Sequence, residues 1–376
     1  MSTTAMSTDT RVLRVQQKTW EADGITSVTF VDPTGAPLPT WEPGAHIALH
    51  LPGGLVREYS LCSDPQDTSR WTVAVLRAEQ SRGGSTLVHD RLSVGAEIEI
   101  SGPRNAFALD PDATEHLLVA GGVGITPIVA MMRRLREQGQ TWRMLYAGRS
   151  RHSMAFVDEV TGHITAVVHA DDERGCLPDL DGFLGSATPG AVVYCCGPAP
   201  LLDAVSARVP EGVTLRTERF AAPEAPAPTG DDTAFDVVCD RTGERIPVGP
   251  DVSVLDAPLD AGIDVPSSCT EGICGTCEVG VIKGDVDHRD FLLSPDEHAA
   301  NTTMFPAYHV AARQNSSSTS DRHLEPKDSR ALLPASPTLR RSGVPAARTA
   351  FRRPRCRRPA GLPGLLPRGV GPAHRR

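Results

Sequence analysis

A chain of 376 residues with 40% hydrophobic content has room for two or three domains with buried cores. No apolar run approaches the ~18 residues of a membrane span, and the polar Met1–Thr10 stretch does not read as a signal peptide. Membrane-embedded and exported classes are therefore excluded as expectations, and nine cysteines in a long soluble chain point to ligand and redox use in the reducing cytoplasm. The net charge of −8 is uneven. From Ala307 on there are 14 Arg and 1 Lys against 2 Asp and 1 Glu, a surplus of 12 positive charges, which leaves −20 on residues 1–306.

The first stretch, residues 1–112, alternates apolar and polar positions between Gly and Pro punctuation. Residues 11–15, 25–30, 46–51, 71–76 and 96–100 read as short strands of a small antiparallel β-barrel. Within it, Arg57-Glu-Tyr59-Ser60-Leu61 offers a cation, a flat aromatic and a hydroxyl, the set a flavin mononucleotide needs for its phosphate, ring face and ring edge. Arg82-Gly83-Gly84-Ser85 then opens a helix expected over 86–92, so that free N–H groups and the helix dipole make an anion site. Together with Gly102-Pro-Arg-Asn-Ala-Phe107, these segments resemble the flavin domain of the phthalate dioxygenase reductase and vanillate O-demethylase oxidoreductase family. That resemblance implies FMN, lined by Arg57, Tyr59, Ser60 and Leu61, with its phosphate held by Arg82, Gly83, Gly84 and Ser85. No adenine-stacking aromatic lies beside the glycine turn, which agrees with FMN over FAD.

Residues 113–222 read as an α/β domain with a parallel sheet. Leu117-Leu-Val-Ala120 is a buried strand, Gly121-Gly122-Val-Gly124 a turn, and apolar residues 128, 131, 132 and 135 mark one helix face ending at Gly139. Strand, glycine turn and helix form a phosphate-binding unit, although the spacing is not G-x-G-x-x-G. Further strands are expected at 142–147 and 191–196, and a last one around Glu218-Arg-Phe220. The turn resembles the GGxGxTP segment of ferredoxin reductases. The resemblance implies a nicotinamide site with Thr126, Cys196, Gly197 and Pro198 near the ring, the adenosine end at Arg149, and Phe220 against the flavin. Asp171 and Asp172 at the cofactor's edge would disfavour a 2′-phosphate, in keeping with NADH. His152, His163 and His169 match nothing and read as structural or solvated.

A Pro/Ala linker occupies 223–231. Residues 232–306 carry Cys269, Cys274 and Cys277 at C-x4-C-x2-C, the spacing of the first three ligands of a plant-type [2Fe–2S] cluster. Gly272 and Gly275 let the backbone fold round the sulfides. Strands at 236–239, 246–248 and 278–282, with a short helix over 253–262, resemble the α+β ferredoxin fold. Family resemblance places a fourth cysteine after Met304-Phe-Pro306, where this chain has Ala307.

Residues 307–376 read as a disordered tail: a serine run, then Arg/Pro/Ala/Gly-rich sequence. A reading-frame shift accounts for both the missing cysteine and the charge reversal. Restoring one T before the Ala307 codon gives TGC, cysteine, and permits Cys-Val-Ser-Arg-Gly-Gly, a closing strand and a stop. The alternative is a basic tail that binds an acidic partner or polyanion. The whole implies an NADH-dependent reductase that hands electrons from FMN through [2Fe–2S] to a Rieske-type aromatic oxygenase, with no nucleic acid and no membrane as partner. No catalytic triad is expected: positioning of the cofactors is the protein's work, with Ser60 and Cys196 nearest the reacting rings. Loss of the cluster would leave an NADH:flavin diaphorase.

Overall fold

The computed structural model describes residues 10–79, 81, 83–221, 234–240, 242–249, 252–263, 265, 272, 275–290, 292–293, 295–307 and 322–325. The linker, Arg82, Cys269, Cys274 and most of the tail lie outside the described residues. Three sheets follow one another along the chain, an antiparallel one, a parallel one and a mixed one, as the sequence implies.

The first is built from β1 (Thr10–Ala22), β2 (Ile25–Val31), β3 (Ala45–Leu51), β4 (Leu55–Ser60), β5 (Trp71–Leu76) and β6 (Glu97–Asn105), in the order β4-β3-β6-β1-β2-β5. The sheet curls until Leu61, just past β4, bridges Val73 on β5. Inside, Leu13, Phe30, Ile47, Leu49, Trp71 and Ile100 are fully buried, each stabilising the fold by roughly 1.5–3 kcal/mol. A single helix, α1 (Gly84–Asp90), begins two residues earlier than expected. Gly83, with φ of 93°, turns the chain so that the helix can start at once.

The second sheet is parallel throughout, in the order β11-β10-β7-β8-β9. Its elements in chain order are β7 (His116–Gly121), α2 (Ile125–Glu137), β8 (Trp142–Gly148), α3 (Val157–Thr161), β9 (Ala166–Ala170), α4 (Asp171–Arg174), α5 (Leu180–Leu184), β10 (Val192–Cys196), α6 (Ala199–Ser206) and β11 (Thr214–Glu218). β7 and β10 are buried along their whole length because helices cover both faces. β11 stops at Glu218, so Phe220 lies beyond the strand expected to contain it. The first two sheets share a core: Ala22, Ile25, Cys62, Ala74 and Phe107 pack in one cluster with Leu118, Ile128, Met131, Tyr194 and Cys196.

The third sheet runs β13-β12-β16-β14-β15. It comprises β12 (Phe235–Cys239), β13 (Glu244–Val248), α7 (Asp256–Asp260), β14 (Val279–Lys283), α8 (Pro295–Ala300), β15 (Thr303–Met304) and β16 (Arg322–Glu325). β16 corrects the expectation of a structureless tail at four residues. It lies parallel to β12 and antiparallel to β14, filling a slot whose edges would otherwise leave backbone N–H and C=O groups unpaired. Among the described residues no helix is long and apolar enough to cross a membrane.

Candidate functional site

In the parallel sheet, the chain leaves β7 toward β8 on one side and β10 toward β11 on the other. Ligands of such sheets bind where the strand order reverses, outside the carboxyl ends. Gly121–Gly124 and Cys196–Pro198 meet at that point. A Cβ on Gly124 would collide with the Cys196 carbonyl, and one on Gly121 would stand 2.6 Å from Leu201 and 2.8 Å from Pro198. Glycine is therefore required for the two turns to pack backbone against backbone. Tyr146 donates its hydroxyl to Gly122 O at 3.2 Å, and the buried Thr126 donates to Val123 O at 3.1 Å, so both brace the turn. No acidic residue sits in the first turn of α2, which leaves its positive end open to a pyrophosphate.

Three side chains converge beside these turns. Ser60, at the end of β4, donates to Glu218 Oε2 at 3.2 Å, and Cys196 Sγ faces the same oxygen at 3.9 Å. Cys196 and Glu218 are register partners in neighbouring strands, which brings them side by side. Burial pushes the Glu218 carboxyl up to about 8, against the hydrogen bonds from Ser60 and Cys196 and with help from the nearby Glu58 charge. Burial, then the Glu218 charge, holds the Cys196 thiol well above its usual range. At neutral pH the site thus presents a protonated acid and an un-ionised thiol. Sequence reasoning singled out Ser60 and Cys196 but missed Glu218 as a site residue.

The flavin-side residues are gathered on β4 and the start of α1. A Cβ on Gly84 would stand 2.5 Å from Arg57 Cγ, so the glycine turn lies directly against the arginine stem. Arg57 Nη1 donates to Val56 O at 2.7 Å. The Ser85 hydroxyl donates to Ser81 Oγ at 2.9 Å and accepts from Ala78 N at 3.2 Å, so it is engaged within the turn. Burial raises the Tyr59 phenol to about 12, opposed by Arg57, which keeps the ring neutral. Leu61 is fully buried, whereas Phe220, past β11, is 42% exposed. A guanidinium against a glycine turn and a neutral phenol on the adjoining strand suit a phosphorylated flavin. Arg149 lies beyond β8, its carbonyl accepting from Asp172 N at 3.0 Å, so the cation and the α4 carboxylates share one rim. His169 bonds Cys176 O at 2.8 Å and His163 packs edge-on to Trp142, so both are structural.

The cysteine loop reaches back to the first sheet. Arg104 Nη1 donates to Thr276 Oγ1 at 2.9 Å, Thr276 Oγ1 lies 3.4 Å from Glu58 Oε1, and Gly275 sits over Ala106. Cys277 is buried with Leu255 and Phe305, and Ala307 packs on the same cluster. Position 307 therefore lies against the apolar cluster that buries Cys277, but it carries a methyl group. A plant-type cluster takes four thiolates, and the loop supplies three. This ligand set does not fit the full cluster.

Residues 237–305 match the 2Fe-2S iron-sulfur cluster binding domain, a match that ends two residues before Ala307. Residues 118–170 match the oxidoreductase NAD-binding domain. The chain is 41% identical over 295 residues to the phenoxybenzoate dioxygenase subunit beta of Ectopseudomonas oleovorans, covering 78% of this chain and 92% of that one. A solved phthalate dioxygenase reductase, described as modular for electron transfer from pyridine nucleotides to [2Fe–2S], superposes with a TM-score of 0.61 at 35% identity, over 84% of this chain and 98% of that one. An intact type IV self-sufficient cytochrome P450 monooxygenase superposes with a TM-score of 0.76 at 41% identity, over 84% of this chain but only 41% of that longer one.

Proposed function

We propose that this chain, which belongs to the phthalate dioxygenase reductase family, is the NADH-oxidising component that supplies an oxygenase with electrons. The family is one of NAD(P)H-dependent oxidoreductases carrying FMN, NADH and a [2Fe–2S] cluster. Flavin, when bound, takes electrons as a hydride pair and gives them up singly. The chain's own residues do the rest. Gly121–Gly124 and the N-terminus of α2 bind the pyrophosphate, Arg57 and the turn at Gly83–Ser85 hold the flavin phosphate, and Phe220 covers the ring. Ser60, Cys196 and Glu218 would exclude water beside the bound cofactors and keep a proton on the Glu218 carboxyl. Arg149 takes the adenosine end, and Asp171 and Asp172 on the same rim repel a 2′-phosphate, favouring NADH.

The single observation that carries this reading is the Ser60–Glu218–Cys196 contact, which joins the flavin-side sheet to the nicotinamide-side sheet at the strand-order switch. The partner we assign is a Rieske-type oxygenase of aromatic catabolism in the cytoplasm. Reconstitution of NADH oxidation with a purified Rieske oxygenase and, separately, with a haem oxygenase distinguishes the partner class. Turnover with the haem protein alone would contradict the assignment.

The alanine at 307 supports a second reading for this chain alone: a frame shift that leaves an NADH:flavin diaphorase. Ferricyanide reduction without cytochrome c reduction is its expected signature. Resequencing across codons 300–325 tests the shift itself, and an unaltered reading frame would remove it. The arginine-rich tail as a tether for polyanions is the reading this displaces. Deleting residues 326–376, which leaves β16 in place, is expected to leave ferricyanide turnover unchanged, and loss of that turnover would favour the tether.

A further inference from the structure

Between β14 and β15, remote from the cleft above, His288, Asp290 and His298 turn toward one another. Asp290 Oδ2 lies 3.6 Å from His288 Nδ1 and 3.1 Å from His298 Nε2, and the three donor atoms all fall within 4.8 Å of one another. The two imidazoles stack at 4.7 Å with 17° between their planes, so both rings present an edge to the same carboxylate. Donors on a tetrahedral zinc ion with bonds near 2.0–2.1 Å stand about 3.3 Å apart. The separations of 3.1 and 3.6 Å bracket that value.

The neighbouring bonds fix which atoms are free. Asn301 is oriented by its own contacts: Nδ2 donates to Gly284 O at 2.8 Å, and Oδ1 accepts from Val286 N at 3.3 Å. Its oxygen therefore faces His288 Nε2 at 3.2 Å, which makes Nε2 the donor. In a neutral ring, His288 Nδ1 then carries a bare lone pair. That nitrogen is buried, has no hydrogen-bond partner, and points at a carboxylate. Two acceptors facing each other in a side-chain environment only 6% and 3% exposed repel unless a proton or a metal cation lies between them, and the other group on the same oxygen is His298 Nε2, hydrogen-bonded to it at 3.1 Å. Asp290 is likewise pinned through its other oxygen, which accepts from Leu292 N at 3.0 Å and Leu293 N at 2.9 Å. A histidine whose second nitrogen donates to a carbonyl oxygen, and a carboxylate with one oxygen held by backbone, are how proteins orient metal ligands.

We propose that His288 Nδ1, Asp290 Oδ2 and His298 Nε2 form a binding site for a divalent transition-metal ion. The two-nitrogen, one-oxygen donor set suits Zn2+, with water as a fourth ligand. The site is distinct from the cysteine loop, yet mechanically tied to it. Leu292 and Leu293, held by Asp290, pack on the cluster of Cys277, Phe305 and Ala307. A bound ion joins α8 to the loop before it and stiffens the support under Cys277.

The test uses the full chain, with iron content measured first. Equilibrium dialysis against Zn2+ is compared for the wild type, H298A, D290N and a variant with the three loop cysteines changed to serine. H298A gives up the stack on His288, so D290N, which keeps the backbone bonds to Oδ1, tests the site without that loss. One Zn2+ per chain is expected to persist in the serine variant. Its affinity should fall at least about tenfold in H298A and D290N, since losing a ligand costs no less than losing a second-layer partner, about 10–100-fold. Zn2+ should also raise the melting temperature of the wild type but not of H298A. Equal Zn2+ binding by the wild type and H298A overturns the proposal. So does loss of all Zn2+ with the cysteines alone, the result that a doubly protonated His288 paired with Asp290 would give.

Discussion

Ser60 and Glu218, 158 residues apart, meet side chain to side chain, with the Ser60 hydroxyl donating to the carboxyl oxygen at 3.2 Å. This one bond links the strand that carries the flavin-side residues to the strand that closes the nicotinamide-side sheet. Ser60→Ala removes the bond and leaves Glu218 with the distant thiol alone. The rate of flavin reduction by NADH in stopped flow is expected to fall about 100-fold, at the low end of what losing a preorganised donor costs. Flavin content should not change. An unaltered rate would remove Ser60 from the reacting site.

Glu218 also makes stability depend on pH. Its carboxyl is raised from 4.5 to about 8 by burial. Below pH 4.5 both folded and unfolded chains are protonated there, and the group costs nothing. Between pH 4.5 and about 8 the unfolded chain ionises while the folded chain does not, so stability is progressively lost as pH rises. Glu218→Gln abolishes this term. The melting-temperature advantage of the glutamine variant over wild type should grow from pH 5 to pH 8 and then level off. A difference that is flat across that range would show that Glu218 titrates normally.

Gly124→Ala forces a methyl group onto the Cys196 carbonyl. Overpacking of this kind costs about 1–3 kcal/mol, and the two turns proposed to receive the dinucleotide must part to relieve it. The KM for NADH is expected to rise about tenfold or more, with bound flavin unaffected. A variant with wild-type KM would show that the close approach of the turns is not needed for binding.

Ala307→Cys places a thiol on the apolar cluster that buries Cys277. Iron and acid-labile sulfide should rise from well under two atoms of each per chain to about two, the complement of one [2Fe–2S] centre. Full iron occupancy in the chain as it stands would show that a thiolate at 307 is dispensable.

Much of this arrangement is legible in the sequence because its parts are local. The glycines of 121–124 sit between an apolar run and a helical repeat, and the C-x4-C-x2-C spacing fixes its own chemistry. Arg57, Tyr59 and Ser60 occupy one short strand, so their proximity needs no tertiary knowledge. Glu218 was not legible as a site residue. A glutamate followed by arginine reads as solvated surface, and only the pairing of Cys196 with Glu218 across two parallel strands buries it. His288, Asp290 and His298 follow no helical or strand period; a turn held by Asn301 and the short α8 bring them together. β16 was hidden for another reason. Its four residues lie in sequence that has no alternating pattern, and they are recruited by the open slot between β12 and β14.

The most direct test of the central claim is anaerobic titration of the purified chain with NADH, followed by its visible absorbance. The account predicts one bound FMN per chain whose absorbance bleaches on addition of NADH at rates far above those with NADPH. A colourless protein, or a flavin that NADH leaves oxidised, would contradict it.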